Sequence, residues 1–545
     1  MSGIRILAAK KIITMNPHRP VATHVAIRDG RILGVGTLDD VRGWGDSAPE
    51  TDFADKVLMP GFVEGHCHTM DGTMWEYAYV GFDDRRDPSG KTWPGADSIA
   101  AVVARLKEAE QRMSNPDETL FAWGFDPIYF PGRRMIAADL DEVSSTRPIL
   151  VLHSNGHLLN VNSEVMRRGG INGDVNIEGI IKDADGNPTG ELAEFSAKYM
   201  AYKSVGNPFM NGLTPEALVR FGQNGVNTGV TTATDLHSPL DEPTRETFLN
   251  VTTRDDFPVR MMPAFGAVNT SIEEGLARVA EFSKHGHDKL FTGLVKIMTD
   301  GSIQGFSARM KWPGYYNGAP NGVWNLEPEV LKKQLKAYHD AGYLVHMHTN
   351  GDEAIELMID AVEEAQDTNP RRDHRHTLQH CQMASPAHFR RMKALGMCCN
   401  LFANHIYYWG EQHRALTMGP DRADRMNACG TAMAYGVPFA IHSDAPVTPL
   451  APLFTAWCAV NRLTRTGRVL GEEERIPEEV ALHAITLGAA YTLKKDHLVG
   501  SIEVGKFADF AVLEDDPTEV EPEKLKDVRI WGTILGGKPF EAAKG

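Results

Sequence analysis

The chain has few cysteines, no long apolar segment and no excess of positive charge. Its six cysteines in 545 residues are too few for a disulfide framework, and no two have C-x-x-C spacing. No uninterrupted apolar stretch reaches the roughly 18 residues that cross a bilayer, and the first twenty residues lack the apolar core of a secretory signal. A net charge of −16 repels nucleic acid and anionic membranes. We therefore expect a cytoplasmic protein that binds neither nucleic acid nor a membrane.

Both ends of the chain have the alternating apolar pattern of β-strands. Near the start, HVAIRDGRILGVG places Asp29 and Gly30 as a two-residue turn between two alternating arms, which predicts a hairpin. Near the end, GSIEVGKFADFAVL and RIWGTILGGKPF are short apolar runs punctuated by glycine. Neither end is long enough to form a good core by itself. We therefore predict that residues 1–58 and 496–545 pair into one composite β-sandwich.

The middle of the chain alternates strand-like apolar runs with helical patterns. Eight such runs occur, and they read VLMPGFVEGH, NTGVTTATD, FPVRMMPAF, FTGLVKIMTD, YLVHMHTNG, RHTLQHC, GMCCNLFA and VPFAIHSDAP. Apolar strands joined by helices are typical of a parallel sheet buried on both faces. The pattern predicts an α/β fold, specifically a (β/α)8 TIM barrel over residues 59–495. The gap after the first strand is too long for one helix, so we expect an inserted subdomain at about 75–215.

Two histidines, His66 and His68, stand at the end of the first predicted strand. Side chains two residues apart in a strand point to the same face, so both imidazoles can bind one metal ion. An isolated H-x-H pair is a weak signal in a chain with 21 histidines, and a chance pair is the alternative. The pair gains weight only if other strands contribute ligands to the same place.

Four later strands end in further residues of this kind, namely Lys296, His348, His380 and Asp444. The carboxyl ends of barrel strands build the active site, so these side chains are expected to converge at one mouth. His346 and His376 lie earlier on the same strands and therefore farther from the mouth. We expect them, and likewise His442, to pack in the interior or to hydrogen-bond to the metal ligands. The alternative for each residue alone is structural: an interior histidine, an ion-paired lysine or a helix-capping aspartate.

Five motifs stand at the ends of these strands, and they read PGFVEGHCH, VKIMTDG, HTNGDEA, LQHCQ and SDAPVTP. In this order they resemble the metal-dependent amidohydrolase superfamily, specifically its amidohydrolase family 3 branch, which includes N-substituted formamide deformylases. The resemblance extends over essentially the whole chain, from GFDPIYFPGR in the insertion to the closing GSIEVGKFADFAVL. The sequence departs from the family's pattern at Glu64. At this position the family's first motif usually has an acidic residue whose side chain is one carbon shorter.

The resemblance implies a metal centre. Its implied ligands are His66, His68, Lys296, His348, His380 and Asp444, with Asp444 also the catalytic acid and base. It implies one or two divalent ions per chain, with Zn²⁺ as the expected metal. Such a lysine is often carboxylated by CO2, which predicts N6-carboxylysine at Lys296. A free ammonium has no lone pair and repels a cation, whereas a carbamate offers two anionic oxygens. An unmodified Lys296 would favour a single-metal site.

A second set of side chains is predicted to contact the substrate. It comprises His157, His405, Trp123, Phe125 and Tyr408. The aromatic members favour a small aromatic or apolar substrate. The alternative is that these rings pack the insertion onto the barrel, and that the two histidines make structural hydrogen bonds.

Together these features predict a metal-dependent hydrolase that cleaves a non-peptide carbon–nitrogen bond, such as an amide or formamide, in a small molecule. A bound Zn²⁺ lowers the pKa of water toward about 7, and Asp444 would pass the water proton to the leaving nitrogen. A metal-dependent decarboxylase or other lyase is one alternative, because a fold does not fix its reaction. A non-catalytic binding protein is another, although a retained Asp444 argues against it. For the oligomeric state, a homodimer is the arrangement that we single out for testing.

Overall fold

The computed structural model describes residues 3–45, 47–130, 132–207, 213–268 and 270–544. It divides into two compact units. The first consists of Met1–His68, Gly222–Ala445 and Leu450–Ala543, and the second of Thr69–Phe221, Pro446–Pro449 and Lys544–Gly545.

The secondary structure mixes short strands with helices throughout. The strands in chain order are β1 (Arg5–Ile13), β2 (Val21–Arg28), β3 (Arg31–Gly36), β4 (Glu50–Pro60), β5 (Phe62–Glu64), β6 (Ala78–Tyr79), β7 (Arg85–Arg86), β8 (Thr92–Trp93), β9 (Leu120–Phe125), β10 (Ile149–His153), β11 (Leu158–Val161), β12 (Ile180–Lys182), β13 (Pro188–Ala193), β14 (Val230–Ser238), β15 (Arg260–Gly266), β16 (Leu294–Met298), β17 (Leu344–Thr349), β18 (Thr377–His380), β19 (Cys398–Leu401), β20 (Phe439–Ile441), β21 (Phe510–Leu513), β22 (Ile530–Leu535) and β23 (Lys538–Glu541). The α-helices include Leu38–Arg42, Met70–Met74, Ile99–Glu110, Ala137–Asp141, Ser163–Gly169, Glu194–Val205, Pro215–Asn227, Glu242–Thr252, Ile272–Ser283, Pro328–Asp340, Asp352–Thr368, Pro386–Leu395, Asn404–Gln412, Pro420–Asp424, Cys429–Ala434, Pro452–Asn461, Glu478–Ala484 and Leu487–Thr492.

Both chain ends join one seven-stranded sheet in the order β23-β22-β21-β4-β1-β2-β3. The ends meet where β21 pairs antiparallel with β4. The predicted hairpin is confirmed: β2 and β3 pair across Asp29 and Gly30, whose φ angles of 51° and 74° are those of a tight two-residue turn. The two ends therefore pair as predicted, while their arrangement as a two-layer sandwich stays a prediction.

An eight-stranded parallel sheet forms the rest of the first unit. Its strands, β5 and β14 to β20, follow one another in chain order, and every neighbouring pair is parallel. Each lies within one of the eight apolar runs or overlaps it. Strands β15 and β17 are buried along their whole length, as expected for a sheet covered on both faces.

The first and last strands of this sheet meet just beyond their carboxyl ends. The Asp444 backbone N–H donates to the carbonyl of His66 at 3.1 Å, and the His68 N–H donates to the carbonyl of Ala445 at 2.8 Å. These two bonds curl the sheet and fix the chain segments that carry three predicted ligands. The mixed α/β class and the curled parallel sheet are therefore confirmed.

The second unit contains a six-stranded sheet in the order β12-β13-β11-β10-β9-β6. Its buried cluster includes Trp123, Leu150, Leu152, Leu159 and Leu192. Within the part of the chain that the structure describes, no helix is both long and apolar enough to cross a membrane.

Candidate metal centre

His66, His68 and Asp444 converge at the joined ends of β5 and β20. Asp444 Oδ1 lies 3.3 Å from His66 Nε2 and 3.1 Å from His68 Nε2, and one ligand atom of each residue lies within 4.8 Å of the others. Ligands about 2.0–2.2 Å from a tetrahedral ion lie roughly 3.3–3.6 Å apart. The spacing of these three atoms therefore suits one divalent cation.

A second group shares His66 and adds His380 and His442, again with ligand atoms within 4.8 Å of one another. His380 Nδ1 and both ring nitrogens of His442 are buried, and among the described residues none of them has a hydrogen-bond partner. Buried polar atoms without partners require an explanation. Several imidazole lone pairs that face one another in this way can bind a metal ion. The donor atoms present here are therefore suited to the divalent metal that the resemblance implies.

Burial sets the charge of these ligands. It lowers the pKa of His66 and of His380 well below the usual histidine value, so both rings are neutral and keep a lone pair. Burial alone would raise the pKa of Asp444, but the hydrogen bond from His68 and nearby positive charge outweigh it and hold this pKa below its ordinary value. The centre thus offers neutral imidazoles and one carboxylate.

Lys296 extends from β16 into the same centre, with Nζ 3.4 Å from His66 Nε2. The side chain is 1% exposed. Burial lowers its pKa to about 7, although the negative charge of Asp444 opposes this shift. A substantial share of neutral amine therefore exists at neutral pH, and only the neutral amine has a lone pair that can react or bind.

His348 lies beside this centre but outside both groups of ligand atoms. Its Nδ1 is 3.1 Å from His380 Nε2, while its Nε2 is 3.1 Å from Asn350 Nδ2 and 3.3 Å from the carbonyl oxygen of Gly301. The structure thus brings together His66, His68, Lys296, His380 and Asp444, with His348 contacting them through His380.

Two of the predicted substrate contacts lie in the first unit. His405 packs its ring 4.4 Å from Phe402, which in turn lies 4.6 Å from His442, so this aromatic pair is continuous with the candidate metal centre. Its Nδ1 lies 3.0 Å from His413 Nε2. Tyr408 instead packs against Tyr407, Trp409 and Phe454.

The other three predicted contacts lie in the second unit. His157 Nδ1 is 3.1 Å from Glu194 Oε2. Trp123 is 1% exposed and packs at 5.1 Å from Trp75, and Phe125 stacks on Phe130 at 4.9 Å. Within this unit, all three therefore have structural contacts of their own.

Glu64 contributes more to the centre than expected of a residue in the first motif that is not itself a predicted ligand. Its Oε2 accepts from Ser443 Oγ at 2.9 Å, and its Oε1 accepts from the backbone N–H groups of Ser443 and His66. Burial raises the pKa of Glu64 to about 8. Glu64 thus fastens the segment that carries Asp444 to the segment that carries His66.

His237, at the end of β14, was not singled out from the sequence. Its backbone has φ of 127°, which is strained for a residue with a side chain, and its Nε2 is buried without a partner among the described residues. Burial, with smaller contributions from His68 and Lys296, lowers the pKa of His237 to about 4. The only sequence signal was a histidine near the end of the second strand of the parallel sheet.

Comparison with known proteins identifies the family. The profile of the amidohydrolase family (Amidohydro_3) matches residues 50–540. The chain belongs to the amidohydrolase family. The sequence-based assignment is thereby confirmed, and the match supports an enzyme of the amidohydrolase class.

Relatives of this amidohydrolase cover nearly all of its length. Protein LONG AFTER FAR-RED 3 of Arabidopsis thaliana is 27% identical over 550 residues, covering 97% of this chain and 90% of the relative. N-substituted formamide deformylase of Arthrobacter pascens is 23% identical over 562 residues, covering 98% of both chains. The crystal structure of an uncharacterized metal-dependent hydrolase from Pyrococcus horikoshii OT3 superposes with a TM-score of 0.73 at 18% identity, covering 95% of this chain and 99% of that one. This last likeness shows the fold.

Proposed function

We propose that this amidohydrolase hydrolyses an amide or formamide-like bond in a small aromatic or apolar molecule, with Zn²⁺ as its metal. The observation that supports the proposal most strongly is the pair of ligand groups that share His66. Neutral imidazoles together with the Asp444 carboxylate form the kind of donor set that catalytic zinc sites use. The aromatic pair Phe402 and His405, which is continuous with these groups, favours a substrate with an apolar body.

When bound, the divalent cation supplies an acidified water and a polarised carbonyl oxygen. Asp444 is then the proton carrier, because it is the carboxylate among the grouped donors and stays ionised. It accepts the proton of the attacking water and delivers it to the leaving nitrogen. Oδ1 of Asp444 is the oxygen nearest the ring nitrogens of His66 and His68, which leaves Oδ2 as the oxygen that can take up the proton.

Lys296 is proposed to bear the carbamate of N6-carboxylysine. Its neutral amine attacks CO2, a nitrogen–carbon bond forms and one proton leaves, which gives an anionic group with two oxygens. Burial and the lowered pKa favour the neutral amine that this reaction needs. Such a group would hold two ions, with His348 and His380 as further ligands of the second, whereas an unmodified Lys296 leaves one.

The finer organisation belongs to the same proposal. Residues 1–58 and 496–545 would form the sandwich, and 59–495 the barrel with an insertion at about 75–215. His157, Trp123, Phe125 and Tyr408 are proposed as substrate contacts with His405, and cytoplasmic location and homodimer assembly stay predictions.

Metal dependence tests the proposed function directly. Purified protein should contain roughly one or two equivalents of divalent metal, and chelation should abolish hydrolysis, with recovery on adding Zn²⁺. The substrate is sought in a screen of amides, formamides, cyclic ureas and lactams, with amine release as the readout. Full activity in metal-free protein would contradict the proposal. Release of CO2 without incorporation of water would assign a lyase instead.

A further inference from the structure

Gln379 connects two histidines beneath the candidate metal centre. This side chain on β18 is fully buried. Its Oε1 lies 2.7 Å from His66 Nδ1, and its Nε2 lies 2.7 Å from His346 Nδ1. The other ring nitrogen of His346, Nε2, lies 3.1 Å from the backbone carbonyl oxygen of Thr492. The four groups form one continuous chain of hydrogen bonds.

The chain has only one consistent assignment of hydrogens with neutral rings. The carbonyl of Thr492 can only accept, so Nε2 of His346 carries the hydrogen and its Nδ1 has the lone pair. Gln379 Nε2 therefore donates to His346, which turns Oε1 toward His66 as an acceptor. His66 must then donate from Nδ1, and its Nε2 has a lone pair directed at Lys296 and Asp444.

We propose that Gln379 is a positioning residue that holds His66 in the tautomer able to bind metal through Nε2. The reverse amide orientation would require hydrogens on both ring nitrogens of His346. That would bury a cation with no carboxylate in contact with it, which is strongly unfavourable. A fixed backbone carbonyl thus sets the proton position on a predicted ligand two side chains away.

Three variants separate this role from simple packing. Gln379→Met keeps the side-chain length and removes both hydrogen bonds, so Zn²⁺ affinity should fall about 10- to 100-fold. Gln379→Glu still accepts from His66 and should restore affinity to within a few-fold of wild type. The matched control is Asn400→Leu, because Asn400 is a buried amide opposite Gln379 on β19 whose side-chain amide atoms make no hydrogen bond to any residue that the structure describes. It should bind Zn²⁺ as the wild type does.

The tautomer itself is measured in metal-free protein by NMR of ring-¹⁵N-labelled histidine, with His66 assigned through His66→Gln. A hydrogen on Nδ1 is expected, and a hydrogen on Nε2 overturns the proposal, as does unchanged Zn²⁺ affinity in Gln379→Met. The inference rests on the proposed function only in one respect, namely that the Nε2 lone pair of His66 binds a metal ion. If the wild type binds no metal, the proposed function fails, while the NMR result still decides the tautomer.

Discussion

Replacement of Asp444 with asparagine is expected to lower kcat by roughly 100-fold or more, the scale on which general acids and bases contribute. The side chain keeps its size, and the amide oxygen can still approach His66 and His68, so most of the bound metal should remain. What the variant loses is the carboxylate that accepts a proton. Metal content by elemental analysis and steady-state kinetics on the same preparation measure the two effects separately.

Asp421→Asn is the matched control, because it makes the same chemical change in an exposed ion pair with Arg425. It should retain both metal and turnover. If Asp444→Asn lost metal and activity in parallel, the main role of Asp444 would be to bind the metal. Its assignment as the proton carrier would then be wrong.

The parallel sheet was predictable because its strands are buried on both faces. Such strands are continuous apolar runs, and the helices between them have the other periodicity, so all eight could be located from the sequence alone. The terminal sheet was harder to predict, since its pairing joins residues 450 to 456 positions apart. Only the shortness of both ends indicated that β4 and β21 would meet.

Strand ends located the candidate site, but they did not determine which ring nitrogens face one another. His66 and His68 lie just beyond β5, yet both side chains reach Asp444, as the H-x-H spacing predicts. Alternation along a strand fails at His380 and Asp444, whose φ angles of 65° and 53° are left-handed and redirect the side chains. Depth along the strand therefore could not show that His442 would lie within ligand distance of His66 and His380.

The supporting roles of Gln379 and Glu64 could not be predicted from the sequence for a related reason. Gln379 and Glu64 act through hydrogen bonds to residues on other strands, and no local spacing marks an amide or a carboxyl group as part of such a chain. Their roles follow from burial: a buried polar group must have partners, and here the partners are His66, His346 and Ser443.

Removal of the Lys296 amine is expected to lower metal content and activity together. Without a carbamate the centre loses two anionic oxygens, so Lys296→Ala should weaken metal binding by about 10- to 100-fold or more, at least the loss seen when residues that merely support ligands are removed. Because alanine leaves space where the side chain ended, added formate or acetate should partly restore activity by supplying the missing oxygens. Metal affinity and rates with and without these acids provide the measurement.

Lys198→Met is the matched control, since Lys198 is also buried and burial lowers its pKa to about 8, but it lies in the second unit. It should keep its metal and show no response to formate. Electron density at Nζ of Lys296 decides the chemical form: three additional atoms between two ions indicate the carbamate. A bare amine directed at the Asp444 carboxylate would instead make Lys296 an ion-pair partner. Formate, an anion, could not replace the lost cation and should then restore no activity.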